Sequence, residues 1–361
     1  MALVPGFLRA YTKERAHIID PGTGVKITQL TSFPTVHQNL YFHSRSFTPD
    51  CKTVLFLSNT TANRAGLNDL YAIDTDGDNL RQLTNGEAVD GIALSPQGQF
   101  AYYASGRCVF AQDINTGEAH EVARFAKGVH AGGNATMTDD GKLLCMFASV
   151  EGVGQQIGLV SIPEGKAWTV RTDYGTPHLQ IEPGKGETAF YYGPRLPRIV
   201  KLDGSGEHEI PLDQHNGHSA WLGPKGKVYT GNIYGVNKIT MCDQAGGPVE
   251  TIAEGPYFWH PGCDPTGEWI VSDTNWPDEG LWIINVKTKK KAKLCASMSS
   301  NSHPGWSHPH PCVGPGAKEV LFNSDRTGVP QIYLATIPDA IRMQLETGAL
   351  THRQRWVGKV I

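Results

Sequence analysis

Residues 47–59 read FTPDCKTVLFLSN: an apolar residue, a Pro-Asp turn, then a run rich in β-branched and aromatic side chains. Turn residues placed between such runs indicate a β-hairpin. A second hairpin follows most copies of this form, as in LYAIDTDGDNLRQLT over residues 70–84. Seven copies, 41 to 50 residues apart, begin at Phe47, Leu94, Met137, Ile181, Leu222, Cys263 and Val313. Seven repeats of four strands predict an all-β fold, a seven-bladed β-propeller.

The two ends of the chain predict how this ring closes. The seventh repeat runs to QIYLATIP and continues as the helix-like DAIRMQLETG, so it lacks an outermost strand. Near the N-terminus, IIDPGTGVKITQLT (residues 18–31) echoes AIDTDGDNLRQLT of the first blade. We expect residues 25–31 to supply the missing strand, because an open array would leave two exposed edges. Residues 1–361 are thus predicted to form one propeller domain, with a short helical tail over about 338–361.

Composition narrows the class of partner and the compartment. The net charge is −3, and no block of Lys and Arg suggests a nucleic acid or a membrane surface as partner. No stretch approaches 18 apolar residues, and the N-terminus lacks the features of a signal peptide. The seven cysteines include no CxxC pair, which favours reduced thiols and a cytoplasmic protein. The sequence indicates no oligomeric state.

Histidines recur at one level of the repeat. Residues just before the turn proline form the innermost strand of a blade, which lines the central channel. Five of the seven copies carry a histidine five or six residues before that proline. In one of these copies, a further histidine lies two residues before the first. The set is His43, His178, His218, His260, His308 and His310. A channel lined by imidazoles predicts a binding site, although some of these side chains could simply be hydrated.

The stretch WSHPHPCVGP (residues 306–315) contains two of these histidines. In a strand, His308 and His310 would point the same way, about 6–7 Å apart, and could share one metal ion. The alternative is a Pro-rich turn with two exposed histidines.

Arginines close to the channel strands suggest the chemistry. A divalent cation together with Arg45, Arg195 or Arg198 would bind a carboxylate, and a neutral histidine would accept a proton. Together these groups suit removal of a proton next to a carboxylate, with the developing anion stabilised by positive charge.

At these residues the sequence resembles the oligogalacturonate lyases, seven-bladed propellers that cleave short pectin fragments by β-elimination with bound manganese. The most specific match is SHPHPCVGPGAKEVLFNSDRTGVPQIYLATIP in the last blade, and NGHSAW and YFWHPGCDPTGEWIVSD also match. The resemblance implies that His218 is the catalytic base and that His260, His308 and His310 are metal ligands. Three imidazoles would suit manganese, zinc or nickel better than calcium, which prefers oxygen ligands. It implies a small acidic oligosaccharide as the substrate, with His43, His178 and Arg45 available to bind it.

Two positions depart from the family. Its fourth metal ligand is a glutamine three residues before the first paired histidine, where this chain has Gly305. His303 or water could take that place. The spacing of the catalytic arginine also differs by one residue, so Arg195 and Arg198 both stay candidates, with Arg195 favoured. Two other functions stay open: a lyase acting on another uronate-containing glycan, and a non-catalytic propeller that binds its ligand.

Overall fold

The computed structural model describes residues 14–59, 69–86, 89–173, 175, 177–212, 217–231, 236–275, 277–302 and 305–348. Its strands form seven antiparallel sheets, and in each sheet the strands follow one another along the chain except at the closing blade. The predicted seven-bladed β-propeller is therefore confirmed. Within these residues, no helix has both the length and the apolar character needed to cross a membrane.

Blades 1 to 3 occupy the first half of the chain. Blade 1 contains β3 to β6: His37–Asn39, Thr53–Ser58, Asp69–Asp74 and Arg81–Gln82. Blade 2 contains β7 to β10: Asp90–Leu94, Phe100–Ser105, Cys108–Asp113 and Ala119–Arg124. Blade 3 contains β11 to β14: Val129–Met137, Leu143–Val150, Gly154–Ser161 and Lys166–Val170.

Blades 4 to 6 repeat the same meander. Blade 4 contains β15 to β18: Gln180–Ile181, Thr188–Tyr192, Pro197–Lys201 and His208–Glu209. Blade 5 contains β19 to β22: His218–Trp221, Lys227–Gly231, Lys238–Asp243 and Glu250–Glu254. Blade 6 contains β23 to β26: Phe258–Cys263, Trp269–Thr274, Leu281–Asn285 and Lys291–Cys295.

Blade 7 is completed by the N-terminal part of the chain, as predicted. Its own strands are β27 to β29: Cys312–Val313, Glu319–Ser324 and Gln331–Thr336. The next strand, β2 (Lys26–Gln29), pairs antiparallel with β29, with Ile27 opposite Ala335. A fifth strand that we did not predict, β1 (Ala16–Ile19), pairs with the outer side of β2.

The tail after blade 7 begins as expected. Helix α1 spans Asp339–Thr347 and is capped by Gly348, whose left-handed backbone (φ 75°) suits glycine. Ile341 and Leu345 are fully buried in the apolar core of blades 6 and 7. Residues 349–361 lie outside the described part of the chain, and the assignment of all 361 residues to one domain stays a prediction.

Apolar layers between neighbouring blades hold the ring together. Phe56 and Tyr71 of blade 1, for example, pack with Leu321 and Leu334 of blade 7. First strands contact one another between blades 2 and 3, 3 and 4, 5 and 6, and 6 and 7, on the side of the channel. Gly262 shows how tightly these strands meet, because a Cβ there would lie 2.3 Å from the Pro311 carbonyl oxygen. The innermost strand of blade 6 therefore requires glycine at this point.

Candidate metal centre and active site

Three imidazoles from blades 6 and 7 meet in the channel. One ring nitrogen from each of His260, His308 and His310 lies within 4.8 Å of the others. The ring centroids of His260 and His310 are 4.2 Å apart, and those of His308 and His310 are 5.4 Å apart. His260 and His308 are buried, with 2% and 6% of their surfaces exposed. The three predicted ligands thus lie close enough together to share one metal ion.

The segment with the paired histidines is not a strand, contrary to the arrangement we considered. Gly305–Ser307 form a turn of 3-10 helix, and the following strand contains only Cys312–Val313. His310 has a left-handed backbone, with φ of 43°. Such a conformation is uncommon outside glycine and is better tolerated by histidine than by most residues. This turn of the backbone, and not strand alternation, brings His308 and His310 together.

Gly305 faces the triad. A Cβ at this position would lie 3.2 Å from His308 Nδ1 and 3.4 Å from His308 Cε1. A side chain at residue 305 would therefore extend toward the metal ligands, as the implied glutamine would, but glycine supplies no ligand atom. His303, the other candidate for a fourth ligand, lies outside the described residues.

A buried carboxylate holds the triad from behind. Asp273, on β24, is fully buried. One of its oxygens accepts the backbone N–H of His260 at 2.7 Å, and the other lies 2.8 Å from His260 Nδ1. The backbone N–H of His310 also points to this second oxygen, at 3.4 Å. Burial raises the pKa of Asp273 to about 7, whereas these N–H donors favour the ionised carboxylate.

His218, the predicted base, lies beside the triad. Its ring centroid is 4.2 Å from that of His260. The hydroxyl of Tyr192 donates a hydrogen bond to the carbonyl of Gly217 and lies 2.7 Å from Ser219 Oγ. Because Gly217 and Ser219 flank His218, Tyr192 fixes the backbone that carries the candidate base.

The remaining channel histidines, His43 and His178, contact tyrosine rings. The ring of Tyr41 lies 4.9 Å from that of His43 and 4.8 Å from that of His310. His178 contacts the ring of Tyr192 at 4.9 Å and that of His218 at 5.6 Å. All six histidines predicted from the repeat therefore lie in one connected cluster, reaching from blade 4 through blade 7 to blade 1.

Burial keeps five of these imidazoles neutral. It lowers the pKa of His43 to about 3 and that of His178 to about 4. Burial, reinforced by neighbouring histidines, lowers the pKa values of His218, His260 and His310 well below the ordinary value. Neutral imidazole is the form that binds a metal or accepts a proton.

The predicted arginines occupy different places. Arg45 forms an ion pair with Asp139, which lies in the turn after the first strand of blade 3. Arg198, on the third strand of blade 4, pairs with Glu209 of the outermost strand at 3.0 Å and with Glu207, just before that strand, at 3.5 Å. Arg195 is exposed, in the hairpin turn that follows Tyr192.

Two cavities open along the channel. One is lined by Tyr41, His310 and Gly305, with Gln38, Asp90, His130 and Asn134 from blades 1 to 3. The other lies toward the proline turns and is lined by His43, Arg45, Met137 and Asp264. We call the first cavity the cleft. Arg45 is thus separated from the cleft, and its predicted role in binding substrate stays a prediction.

Sequence reasoning missed Asp273, Tyr41 and Tyr192. The signal for Asp273 was present, because an acidic residue ends the apolar run WIVSD, which pairs with the strand carrying His260. Tyr41 and Tyr192 resemble the many other aromatic residues of the strands, so nothing in the sequence distinguishes them.

Comparison with known proteins finds similar sequences and folds, although no protein-family model matches the chain. The oligogalacturonate lyase of Dickeya dadantii is 24% identical over 89% of this chain and 96% of its own length. The oligogalacturonide lyase of Pectobacterium atrosepticum is 37% identical over 68 residues, 18% of each protein. The chain is similar in sequence to oligogalacturonate lyases over most of its length.

Solved oligogalacturonate lyases share the fold. The enzyme from Vibrio parahaemolyticus superposes with a TM-score of 0.78 at 21% identity, over 93% of this chain and 99% of its own. An oligogalacturonate lyase in complex with manganese gives the same TM-score and identity, over 91% of this chain and 97% of its own. The predicted resemblance to oligogalacturonate lyases is confirmed, and the relatives named here are lyases, the predicted enzyme class.

Proposed function

We propose that this protein is a metal-dependent lyase that cleaves short uronate oligosaccharides, oligogalacturonate in particular, by β-elimination. The observation that carries the proposal is the convergence of His260, His308 and His310 beside the neutral imidazole of His218. A metal site next to a potential proton acceptor, at the edge of a cleft, is suited to removing a proton adjacent to a carboxylate.

The triad fits a divalent cation. Its nitrogens are mutually close, burial keeps His260 and His310 neutral, and a buried carboxylate orients His260. We assign His260, His308 and His310 as the ligands, and manganese as the metal because a related lyase was solved with it. When bound, the cation would withdraw charge from a uronate carboxylate and so acidify the proton on carbon five.

The protein side chains then carry out the elimination. His218 takes the proton from carbon five, and the electrons of that bond form a double bond to carbon four. The bond from carbon four to the glycosidic oxygen breaks, and the departing oxygen takes up a proton, which the hydroxyl of Tyr41, a residue that lines the cleft, can supply. The products are a shortened oligosaccharide and an unsaturated uronate.

Arg195 is the arginine we assign to charge stabilisation. It lies in the exposed turn three residues after Tyr192, and Tyr192 contacts both His178 and the backbone around His218. Arg198 is held by two glutamates of blade 4. We place the rest of the oligosaccharide in the cleft, where Gln38, His130 and Asn134 offer hydrogen-bonding groups to sugar hydroxyls.

Gly305 favours a second candidate, a lyase acting on another uronate-containing glycan. Without a side-chain ligand at this position, the metal would keep an additional place for water or substrate. That change in ligand set is a reason to expect a changed substrate.

One substrate screen tests these proposals. Purified protein is incubated with oligogalacturonates and with other acidic oligosaccharides, after chelation and after addition of Mn²⁺. The ultraviolet absorbance of the unsaturated uronate is then followed. We expect a metal-dependent rise with galacturonate oligomers. A rise only with another uronate glycan would support the second candidate, and saccharide binding with no rise would identify a non-catalytic propeller.

A further inference from the structure

We infer that Asp273 is a positioning residue that fixes the tautomer of His260 and ties it to His310. This inference rests on the proposed metal site. The tautomer of His260, however, is a property of the metal-free protein and can be measured without a metal. Asp273 touches neither substrate nor metal in this assignment and acts through His260.

The hydrogen bonds of Asp273 all run in one direction. Its two oxygens face the backbone N–H of His260 at 2.7 Å, Nδ1 of His260 at 2.8 Å, and the backbone N–H of His310 at 3.4 Å. The two backbone groups can only donate. A carboxylate that already accepts two N–H groups is suited to accept a third, so Nδ1 of His260 carries the hydrogen.

This tautomer decides which ring nitrogen can bind a cation. With hydrogen on Nδ1, the Nε2 atom of His260 keeps its lone pair. The opposite tautomer would place hydrogen on Nε2, which could not act as a ligand. Carboxylates that accept a hydrogen bond from a ligating histidine orient the ring and raise its basicity.

Asp273 also joins two blades. His260 belongs to β23 of blade 6, whereas His310 belongs to the segment that leads into blade 7. Two buried amides hold the same segment: Asn323 donates to the carbonyl of His308, and Asn39 donates to that of His310. Those amides contact backbone carbonyls, so only Asp273 among these three acts on an imidazole nitrogen.

The carboxylate also supplies negative charge. Three neutral imidazoles leave the charge of a divalent cation uncompensated in a buried site. A buried charge is costly unless it is paired. Asp273 is fully buried within hydrogen-bonding distance of one ligand, so it partly compensates the bound cation.

Asparagine at position 273 is the informative substitution, because it preserves shape. Its side-chain NH₂ would have to face either a backbone N–H of His260 or the Nδ1 side of the His260 ring. The first arrangement opposes two donors, and the second favours hydrogen on Nε2. Either arrangement should weaken metal binding, with Kd for Mn²⁺ rising about 10- to 100-fold.

The test compares wild-type protein, Asp273→Asn and a matched control, Asp69→Asn. Asp69 is also fully buried and accepts a hydrogen bond from Gly86, but it lies in blade 1, in a structural network. Mn²⁺ affinity is measured by electron paramagnetic resonance and apoprotein stability by thermal unfolding. Nitrogen-15 NMR reports the His260 tautomer in apoprotein, assigned by comparison with His260→Gln.

We expect wild-type His260 to carry hydrogen on Nδ1, Asp273→Asn to weaken Mn²⁺ binding by the stated factor, and Asp69→Asn to change it less than twofold. Equal Mn²⁺ affinity in Asp273→Asn and wild type would overturn the inference. If Asp273→Asn does not fold, hydrogen on Nε2 of wild-type His260 would overturn it. Wild-type protein with the Nδ1 tautomer but no Mn²⁺ binding would contradict the proposed metal site and still support the Asp273 contact.

Discussion

Replacing Gly305 with glutamine should strengthen metal binding. A Cβ at this position would lie 3.2 Å from His308 Nδ1, so the side chain would extend beside a ligand of the triad. The backbone of Gly305 is not left-handed, and therefore accepts a side chain without conformational strain. A glutamine here would offer its amide oxygen as a fourth ligand.

Two effects of opposite sign determine how much the metal affinity changes. The distance from the new Cβ to His308 Nδ1 is shorter than an ordinary van der Waals contact, so the His308 ring must move by a few tenths of an ångström. Metal–ligand distances tolerate only about 0.2 Å, so this movement alone should cost a few-fold in affinity. A fourth ligand should contribute about 10- to 100-fold, roughly 1.4–2.7 kcal/mol.

The variant Gly305→Ala separates these effects, because it adds the Cβ without the amide. Mn²⁺ affinity of wild type, Gly305→Ala and Gly305→Gln is measured by titration calorimetry. We expect alanine to bind slightly more weakly than wild type and glutamine to bind at least tenfold more tightly than alanine. Equal affinities for the alanine and glutamine variants would show that position 305 does not face the metal.

Three further predictions concern stability and catalysis. Burial lowers the pKa of His37 to about 4, so the folded state holds it neutral, and stability should fall as pH drops from about 6.5 to 4. In urea unfolding of protein treated with a chelator, His37→Gln should reduce this pH-dependent loss of unfolding free energy by roughly 2–3 kcal/mol. An unchanged dependence of the unfolding free energy on pH would contradict the prediction. Ile27→Ala should cost about 2–5 kcal/mol by the same measurement, because Ile27 is buried where the ring closes, whereas exposed Ile19→Ala should cost less than about 0.5. Arg195→Ala should lower kcat/KM about a hundredfold and Arg198→Ala less than tenfold; the reverse order would assign the catalytic role to Arg198.

The sequence was sufficient for the architecture because propeller blades repeat a local pattern. Each hairpin is marked by its own turn residues, so the number of blades could be counted before any long-range contact was known. Closure was predictable for the same reason, since residues 18–31 repeat the hairpin of blade 1. The extra strand Ala16–Ile19 belongs to that same hairpin and could have been read from it.

The site was less predictable, because its geometry depends on how far each residue lies along the channel axis. His260, His308 and His310 were found by their level in the repeat. The same reasoning grouped Arg45 with them. Arg45 lies two residues after His43 in the chain, and its side chain instead forms an ion pair with Asp139, in the turn that follows the first strand of blade 3. Asp273 lies on a second strand, and its contact with His260 depends on the register shift between Phe258 and Pro261.

The role of His218 is the central claim, and one comparison tests it most directly. His218→Ala and the surface control His120→Ala are purified, loaded with Mn²⁺ and assayed with oligogalacturonate by ultraviolet absorbance. Metal content is measured on the same samples. We predict that His218→Ala binds metal like wild type and produces no unsaturated uronate, while His120→Ala stays fully active. Lyase activity retained in metal-loaded His218→Ala would contradict the account.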